Sequence, residues 1–416
     1  MPRKKLTKTE DISQPEINIG MVGHVDHGKT TLLERLSGKW ADTHSEEIKR
    51  GITIRLGYAD VTFRKCEKCG EYTVKEKCSK CNGETVILRK VSFVDAPGHE
   101  SLMATMLAGA TIVDGALLLI AASEDCPQPQ TREHVMALEI IGIENIIIVQ
   151  NKVDLVTEEQ AIKNYGQIKE FLKNTKYKDA PVIPISAQHN VNVSALIETI
   201  ENVIKTPSRE LDKDPIMLVA RSFDINRPGT EIDKIQGGIL GGALKQGRLK
   251  KGDEIEIRPG YEVQEKNKKV WKSIKTKIIG LKSGGLAPKE VIPGGSVGVL
   301  TSLDPSIVFS DKLTGSIVGL PGKLPKVLDE LKLEVKLLER VVGSKQELTV
   351  QPIKLTEPLM LNVKSAATVG IVFELKKGYI KCKLKLPVCA EAGSRVTISR
   401  MIGNRFRLIG YGIIKE

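Results

Sequence analysis

Near the start of the chain, Gly23-His24-Val25-Asp26-His27-Gly28-Lys29-Thr30 has the residue types and spacing that cradle a phosphate. Glycines allow a tight turn whose backbone N–H groups point at phosphate oxygens, and a following helix adds its positive end. Lys29 would reach the β- and γ-phosphates, and Thr30 would offer its hydroxyl to Mg²⁺. Further on, Asp95-Ala96-Pro97-Gly98-His99 places a carboxylate for the Mg²⁺ environment. Gly98 is a glycine whose N–H can follow a γ-phosphate, and His99 is an imidazole able to orient an attacking water. Thr53, in the polar stretch Arg50-Gly51-Ile52-Thr53, can give Mg²⁺ a second hydroxyl; a plain surface turn is the competing reading. Asn151-Lys152-Val153-Asp154 has the pattern of a guanine reader. The Asp154 carboxylate accepts from the N1–H and 2-amino group, a donor pair adenine lacks, Asn151 tethers the loop, and the Lys152 stem covers the base. Ser186-Ala187-Gln188 is the natural backing loop, with a backbone N–H near O6. Each tetrapeptide alone is common. Four in this order favour GTP over ATP.

A second constellation is Cys66-x2-Cys69 followed by Cys78-x2-Cys81. Two such knuckles supply four thiolates for tetrahedral Zn²⁺, in a polar segment, Phe63–Asn82, too small to form its own core. A redox pair of CxxC motifs is the alternative, and two copies without a thioredoxin-like setting favour zinc. Cys126, Cys382 and Cys389 lack that spacing and read as core or surface thiols. His24 and His27, inside the phosphate loop, read as positional, and His134, on a helical pattern, as packing or surface.

These groups require elements to hold them. Apolar runs Ile17–Val22, Val91–Val94, Ala116–Ala121, Ile146–Val149 and Val182–Ile185 predict buried parallel strands, and each motif sits at a strand end. Between them Lys29–Leu36, Ser101–Ala110, Thr131–Ile141, Glu158–Leu172 and Val193–Ile204 predict helices. After Thr206-Pro207 the pattern changes. Leu331, Leu333, Val335 and Leu337 alternate with charged residues, as do Ile380, Cys382, Leu384 and Leu386, which predicts half-buried antiparallel strands. The expected architecture is an α/β phosphate-loop domain with a mostly parallel sheet, followed by two antiparallel β-barrels. Its expected boundaries are residues 1–208, with the knuckle inserted at about 63–84, then 209–323 and 324–416.

Composition narrows the class. With 416 residues, 41% hydrophobic and 27% charged, the chain reads as globular and needs no disulfide framework. No apolar run reaches the roughly 18 residues of a membrane helix, and the basic, polar start carries no apolar signal segment, so a cytoplasmic protein is expected. Residues 1–208 hold 26 Lys+Arg against 28 Asp+Glu, a net of −2, and residues 209–416 hold 37 against 23, a net of +14. A basic second half draws polyanions, nucleic acid above all.

Taken together, Gly23–Thr30, Arg50–Thr53, Asp95–His99 and Asn151–Asp154 resemble the translational GTPases, and Gly237–Ile257, with its run Leu249–Ile257, resembles the barrel that follows their nucleotide domain. The knuckle between the Arg50–Thr53 and Asp95–His99 segments, with His44–Thr53, Pro127–His134, Arg221–Asp224 and Leu338–Gly343, is similar to the gamma subunits of archaeal and eukaryotic initiation factor 2. The resemblance spans the whole chain. It implies a slow, partner-stimulated GTPase in a heterotrimer with alpha and beta subunits, carrying initiator methionyl-tRNA to the small ribosomal subunit and releasing it after hydrolysis. By the family pattern Asp26, His27, Gly28, Lys29, Thr30 and Thr31 surround the phosphates of GTP or GDP. Asn151, Lys152, Val153 and Asp154, with Ser186, Ala187 and Gln188, hold guanine. Asp26, Thr30, Gly51 and Thr53 form the Mg²⁺ environment, and Cys66, Cys69, Cys78 and Cys81 complete the zinc pattern. An elongation-type carrier, including the selenocysteine-specific kind, shares most of these motifs; the zinc insertion and the lack of a long C-terminal extension argue against it. A nucleotide-gated scaffold and an ATP-driven RNA remodeller are more distant alternatives.

Overall fold

The structure is a computed structural model that describes residues 14–38, 57–95, 107, 110–265, 268–341, 348–403 and 405–416. Gly51, Thr53, Gly98 and His99 lie outside the described residues, as does most of the helix expected over Ser101–Ala110. The chain falls into two compact units, the first containing Val113–Pro207 with most of the residues before it, the second containing Ser208–Glu416 with the short stretch Met103–Ile112.

The first unit is a seven-stranded sheet. Its strands are β1 (Ile17–Gly23), β2 (Gly57–Cys66), β3 (Tyr72–Thr73), β4 (Thr85–Asp95), β5 (Gly115–Ala121), β6 (Ile146–Asn151) and β7 (Val182–Pro184), in spatial order β3-β2-β4-β1-β5-β6-β7. β4, β1, β5, β6 and β7 run parallel, whereas β2 lies antiparallel to both β4 and β3. Every residue of β1, β5 and β6 is buried, as continuous apolar runs demand of strands covered on both faces. The helices are α1 (Lys29–Ser37), α2 (Pro129–Ile141), α3 (Glu158–Leu172) and α4 (Val193–Val203). α1 stops at Gly38, whose left-handed φ of 68° turns its N–H onto Glu34 O. α3 starts on a capping box between Thr157 and Gln160.

β2 is an element that the sequence reading did not predict. Its residues Ala59, Val61 and Phe63 are buried in alternation, and it pairs with β4 along its length so that the cysteine knuckle forms at the tip of the hairpin. Midway along its length, β4 buries Arg89. Its guanidinium bonds Glu201 at 2.5 Å and the carbonyls of Ile200 and Ile204 at 3.3 and 2.8 Å, closing the C-terminal turn of α4.

The second unit holds two closed six-stranded antiparallel barrels. The first is built from β8 (Ile216–Phe223), β9 (Ile239–Gln246), β11 (Glu254–Glu265), β12 (Lys268–Ser283), β14 (Ser296–Thr301) and β15 (Ile317–Gly319), with β10 (Leu249–Lys250) and β13 (Glu290–Val291) paired beside it. The second comprises β16 (Val327–Leu337), β17 (Pro358–Val363), β18 (Ala366–Lys376), β19 (Tyr379–Cys389), β20 (Arg395–Ile402) and β21 (Arg405–Lys415). Each encloses its own apolar core.

The expected alternation holds for Leu331, Leu333, Ile380, Cys382 and Leu384, which face inward. Leu386 departs from it and is exposed. β19 loses register with β16 after Lys383 and regains it at Val388, and Pro387 stands in the irregular stretch. Between the barrels, Arg258 donates to the carbonyls of Leu324 and Pro325 at 2.9 and 3.0 Å. Buried Glu256 grips the same guanidinium at 2.9 Å and accepts the Gly322 N–H at 2.8 Å, so the connection from β15 to β16 is fixed by side chains of β11.

Candidate nucleotide-binding site and metal centre

The phosphate loop joins β1 to α1. Gly23 takes φ 141° and Gly28 φ 86°. A Cβ on Gly23 would lie 2.4 Å from Leu119 O, and one on Gly28 would lie 2.3 Å from Asn151 Nδ2, so both positions need glycine for space as well as conformation. Asp26, at φ 62°, is exposed on the loop. Lys29 is 7% exposed and its Nζ donates to Gly23 O at 3.0 Å and His24 O at 2.7 Å, which brings the ammonium against the loop backbone. Thr30 Oγ1 donates to Asp95 Oδ2 at 3.1 Å. The adjacent parallel strands β1 and β4 thus bring together two groups that sequence reading assigned to one metal environment. Thr31 follows in the first turn of α1.

The loop is held from behind by histidines. Gly23 N–H donates to His134 Nδ1 at 2.8 Å, so His134 is a neutral ring with its proton on Nε2. Burial drives its pKa down to about 3, helped by the nearby Lys29 charge and by His24 and His27. His27 is fully buried, with Nδ1 2.9 Å from Leu119 O and Nε2 3.4 Å from a Glu124 carboxylate oxygen; burial again lowers its pKa. His24 packs edge-on against it at 5.2 Å between centroids. The positional reading of His24 and His27 matches this arrangement. His134 does more than pack, and nothing in the sequence signalled its polar role.

On the base side, Asn151 is buried at the end of β6. Its Nδ2 donates to His27 O at 3.0 Å and its Oδ1 accepts the Ala187 N–H at 3.1 Å, so one side chain ties the phosphate loop to the Ser186–Gln188 loop. Lys152 adopts φ 64°, a left-handed turn into a short 3₁₀ segment, Val153–Leu155, and Val153 N–H bonds Ile185 O at 3.3 Å. The Asp154 carboxylate lies 3.6 Å from His189 Nε2. Ser186 is buried and its Oγ accepts the His189 N–H at 3.2 Å. The Gly23–Thr30 turn, the Thr30–Asp95 pair and the Ser186–Gln188 loop tethered by Asn151 therefore converge at the C-terminal ends of β1, β4, β6 and β7. That crevice is where open parallel sheets bind nucleotides.

The four knuckle cysteines come together on two short turns, Gly70 N–H to Cys66 O at 3.0 Å and Asn82 N–H to Cys78 O at 2.9 Å. All four Sγ atoms lie within 4.8 Å of one another, with Cys66–Cys81 at 3.4 Å and Cys69–Cys78 at 3.5 Å. Four sulfurs at about 2.3 Å from a tetrahedral ion would be about 3.8 Å apart, so the donor set fits zinc. The Cys69 amide helps hold the Cys66 thiol down at about 7. β3 links the knuckle to the start of α4, where Tyr72 N–H bonds Ser194 Oγ at 3.2 Å, and a cavity of about 500 Å³ opens between them beside Arg35.

A family model described as the elongation factor Tu GTP binding domain matches residues 14–206, and one described as initiation factor eIF2 gamma, C terminal, matches residues 329–414. Translation initiation factor 2 subunit gamma of Methanocaldococcus jannaschii is 57% identical over 410 residues, 99% of this chain and 100% of that one. The chain belongs to the family of translation initiation factor 2 gamma subunits. The relative from Pyrococcus horikoshii is 59% identical over 403 residues, 97% of this chain and 98% of its own length. Membership makes the first unit a GTP-binding domain and the chain a translational GTPase, the GTP-binding subunit of an initiation factor.

Among solved structures, a bacterial selenocysteine-specific elongation factor superposes with a TM-score of 0.73 at 22% identity. It covers 96% of this chain, which spans 58% of that factor's length. SelB of Methanococcus maripaludis, in complex with the GTP analogue GPPNHP, gives 0.71 at 23% identity and covers 98% of this chain and 80% of its own. At that identity these neighbours share the fold, whereas the gamma subunits share sequence from end to end. The elongation-type reading gives way on that difference.

Proposed function

We propose that this chain works in a heterotrimer with alpha and beta subunits, holds initiator methionyl-tRNA in its GTP form, delivers it to the small ribosomal subunit, and lets it go after hydrolysis. The observation that carries the reading is full-length identity of 57% to a gamma subunit, joined to the guanine-nucleotide site at the strand ends. Residues 1–208 would be the GTP-binding domain, 209–323 and 324–416 the two barrel domains, working in the cytoplasm.

Within the site, the backbone from Asp26 to Thr31 would bind the phosphates and Lys29 would neutralise their charge. Asn151, Lys152, Val153 and Asp154 would hold the base against Ser186, Ala187 and Gln188. Asp95 and Gly98 would meet the γ-phosphate end. His99 would orient the water for in-line attack, and loss of phosphate would release the segments around Thr53 and Gly98. Thr30, with Asp26, Gly51 and Thr53, would hold Mg²⁺, which would supply positive charge to offset that of the phosphates. Cys66, Cys69, Cys78 and Cys81 would hold Zn²⁺. The basic second half, at a net +14, would meet tRNA phosphates.

The test is titration of the chain, with its partner subunits, against initiator and elongator methionyl-tRNA in GTP and in GDP at one stated salt concentration. Tighter binding of the initiator in GTP is expected. Equal affinity for both tRNAs would point to an elongation-type carrier, and absence of binding in either nucleotide to a GTP-gated scaffold.

A further inference from the structure

Arg35 stands in the last turn of α1, the helix that begins at the phosphate loop. Its Nε donates to Ala187 O at 3.0 Å and its Nη2 donates to Gln188 O at 2.6 Å. Two successive carbonyls, more than 150 residues away in sequence, are thus held by one guanidinium fork, whose planar donors suit paired acceptors. A trans peptide points its C=O and N–H in opposite directions. Turning Ala187 O toward α1 therefore turns the Gln188 N–H away from it. The same short loop is fixed elsewhere by Asn151 at the Ala187 N–H and by Ser186 Oγ at the His189 N–H. With those three constraints, the orientation of every peptide plane from Ala187 to His189 is set by a side chain. Arg35 is also six residues from Lys29, about 9 Å along the helix, so one rigid element spaces the phosphate lysine from the base loop.

We propose that Arg35 is a positioning residue for guanine recognition. By gripping the Ala187 and Gln188 carbonyls it orients the Gln188 N–H, the amide between the two that Asn151 and Ser186 already engage, toward the O6 oxygen of the bound base, and it thereby sets the preference for a 6-oxo purine. The inference rests on the reading of Asn151–Asp154 and Ser186–Gln188 as the base pocket, and the test separates the two.

Equilibrium affinities for GDP, 6-thio-GDP and XDP are measured on the full chain and on Arg35→Met, Arg35→Lys and Asp154→Asn, with the melting temperature of each. Sulfur at position 6 is a weak acceptor, so the wild-type chain should prefer GDP over 6-thio-GDP. Arg35→Met keeps the aliphatic stem and loses both donors. It should weaken GDP binding roughly tenfold and leave 6-thio-GDP little changed, closing the gap between them. Arg35→Lys, with a charged donor still in reach, should recover part of that gap. Asp154→Asn exchanges an acceptor for an amide donor that matches the 2-oxo group of xanthine, and should shift preference toward XDP whatever Arg35 does. Failure of that shift overturns the base-pocket reading and the inference with it. A clear shift, together with an Arg35→Met variant that weakens GDP and 6-thio-GDP equally or not at all, overturns the role of Arg35 alone.

Discussion

The Gly23 N–H ends on His134 Nδ1, and that single bond makes an ordinary helical histidine part of the phosphate loop. Because the ring must accept, it must stay neutral, and burial keeps it so by lowering its pKa from 6.5 to about 3. The unfolded chain, whose histidine titrates near 6.5, then takes up a proton before the folded one does. Stability from this group is complete above about pH 6.5 and falls as pH drops from there toward 3. Between pH 6.5 and 5 the loss from His134 is about 2 kcal/mol, and His24 and His27, shifted in the same direction, add to it. Denaturant titrations across that range should show the slope, and His134→Gln should flatten it by about one proton. An unchanged slope in that variant would remove His134 from the account. His134 and Arg35 show the limit of motif reading at this scale. The motifs mark residues that face a ligand, whereas these two face the backbone that holds the ligand, and no spacing rule announces that.

At the scale of elements, β4 and β2 decide most of the site. β4 delivers Asp95 to Thr30 at its end and anchors α4 through Arg89 midway along, and β2 turns the cysteine segment into the tip of a hairpin. The knuckle has two short turns, four sulfurs and little apolar surface of its own, a setting in which a bound metal takes the place of a core. A strong chelator should release about one zinc per chain, and limited proteolysis should then cut within residues 67–82 while the sheet stays protected. Cys66→Ser with Cys69→Ser should lose the metal from the outset. A full complement of zinc in that double variant would refute the ligand set. The strand-end motifs were legible because a fully apolar run followed by Gly, Asp or Asn marks where a buried parallel strand meets its crevice. β2 was missed although Ala59, Val61 and Phe63 carry a period of two, because polar neighbours dilute the signal and only pairing with β4 selects it. Leu386 was misplaced for the converse reason: alternation persists in the sequence after the ladder has lost its register.

Over the whole molecule, charge and chemistry are divided. The first 208 residues are near neutral and contain the nucleotide and cysteine motifs, and the remaining 208 carry a net +14 on two barrels. Attraction of that kind works through counterion release and weakens steeply with salt. Binding of tRNA by the full chain should follow a straight line of log affinity against log salt. About six phosphate contacts would produce a loss of roughly 10³-fold between 50 and 200 mM. An affinity insensitive to salt would mean that the basic barrels serve solubility and that recognition lies elsewhere. None of the helices among the described residues is long and apolar enough to cross a membrane.

Sequence by itself determined the class of the chain, the phosphate and guanine motifs and the four cysteines, because each depends on residue types at short, fixed spacings that local backbone geometry translates directly into chemistry. The tertiary structure alone decided which distant groups support them. Arg35 meets Ala187 and Gln188, His134 meets Gly23, and Arg258 meets Leu324 and Pro325. In each case a side chain satisfies backbone groups that lie far away in the chain. Such a partnership is set by which strands and helices become neighbours, a long-range outcome of core packing that leaves no periodic trace in the residues themselves.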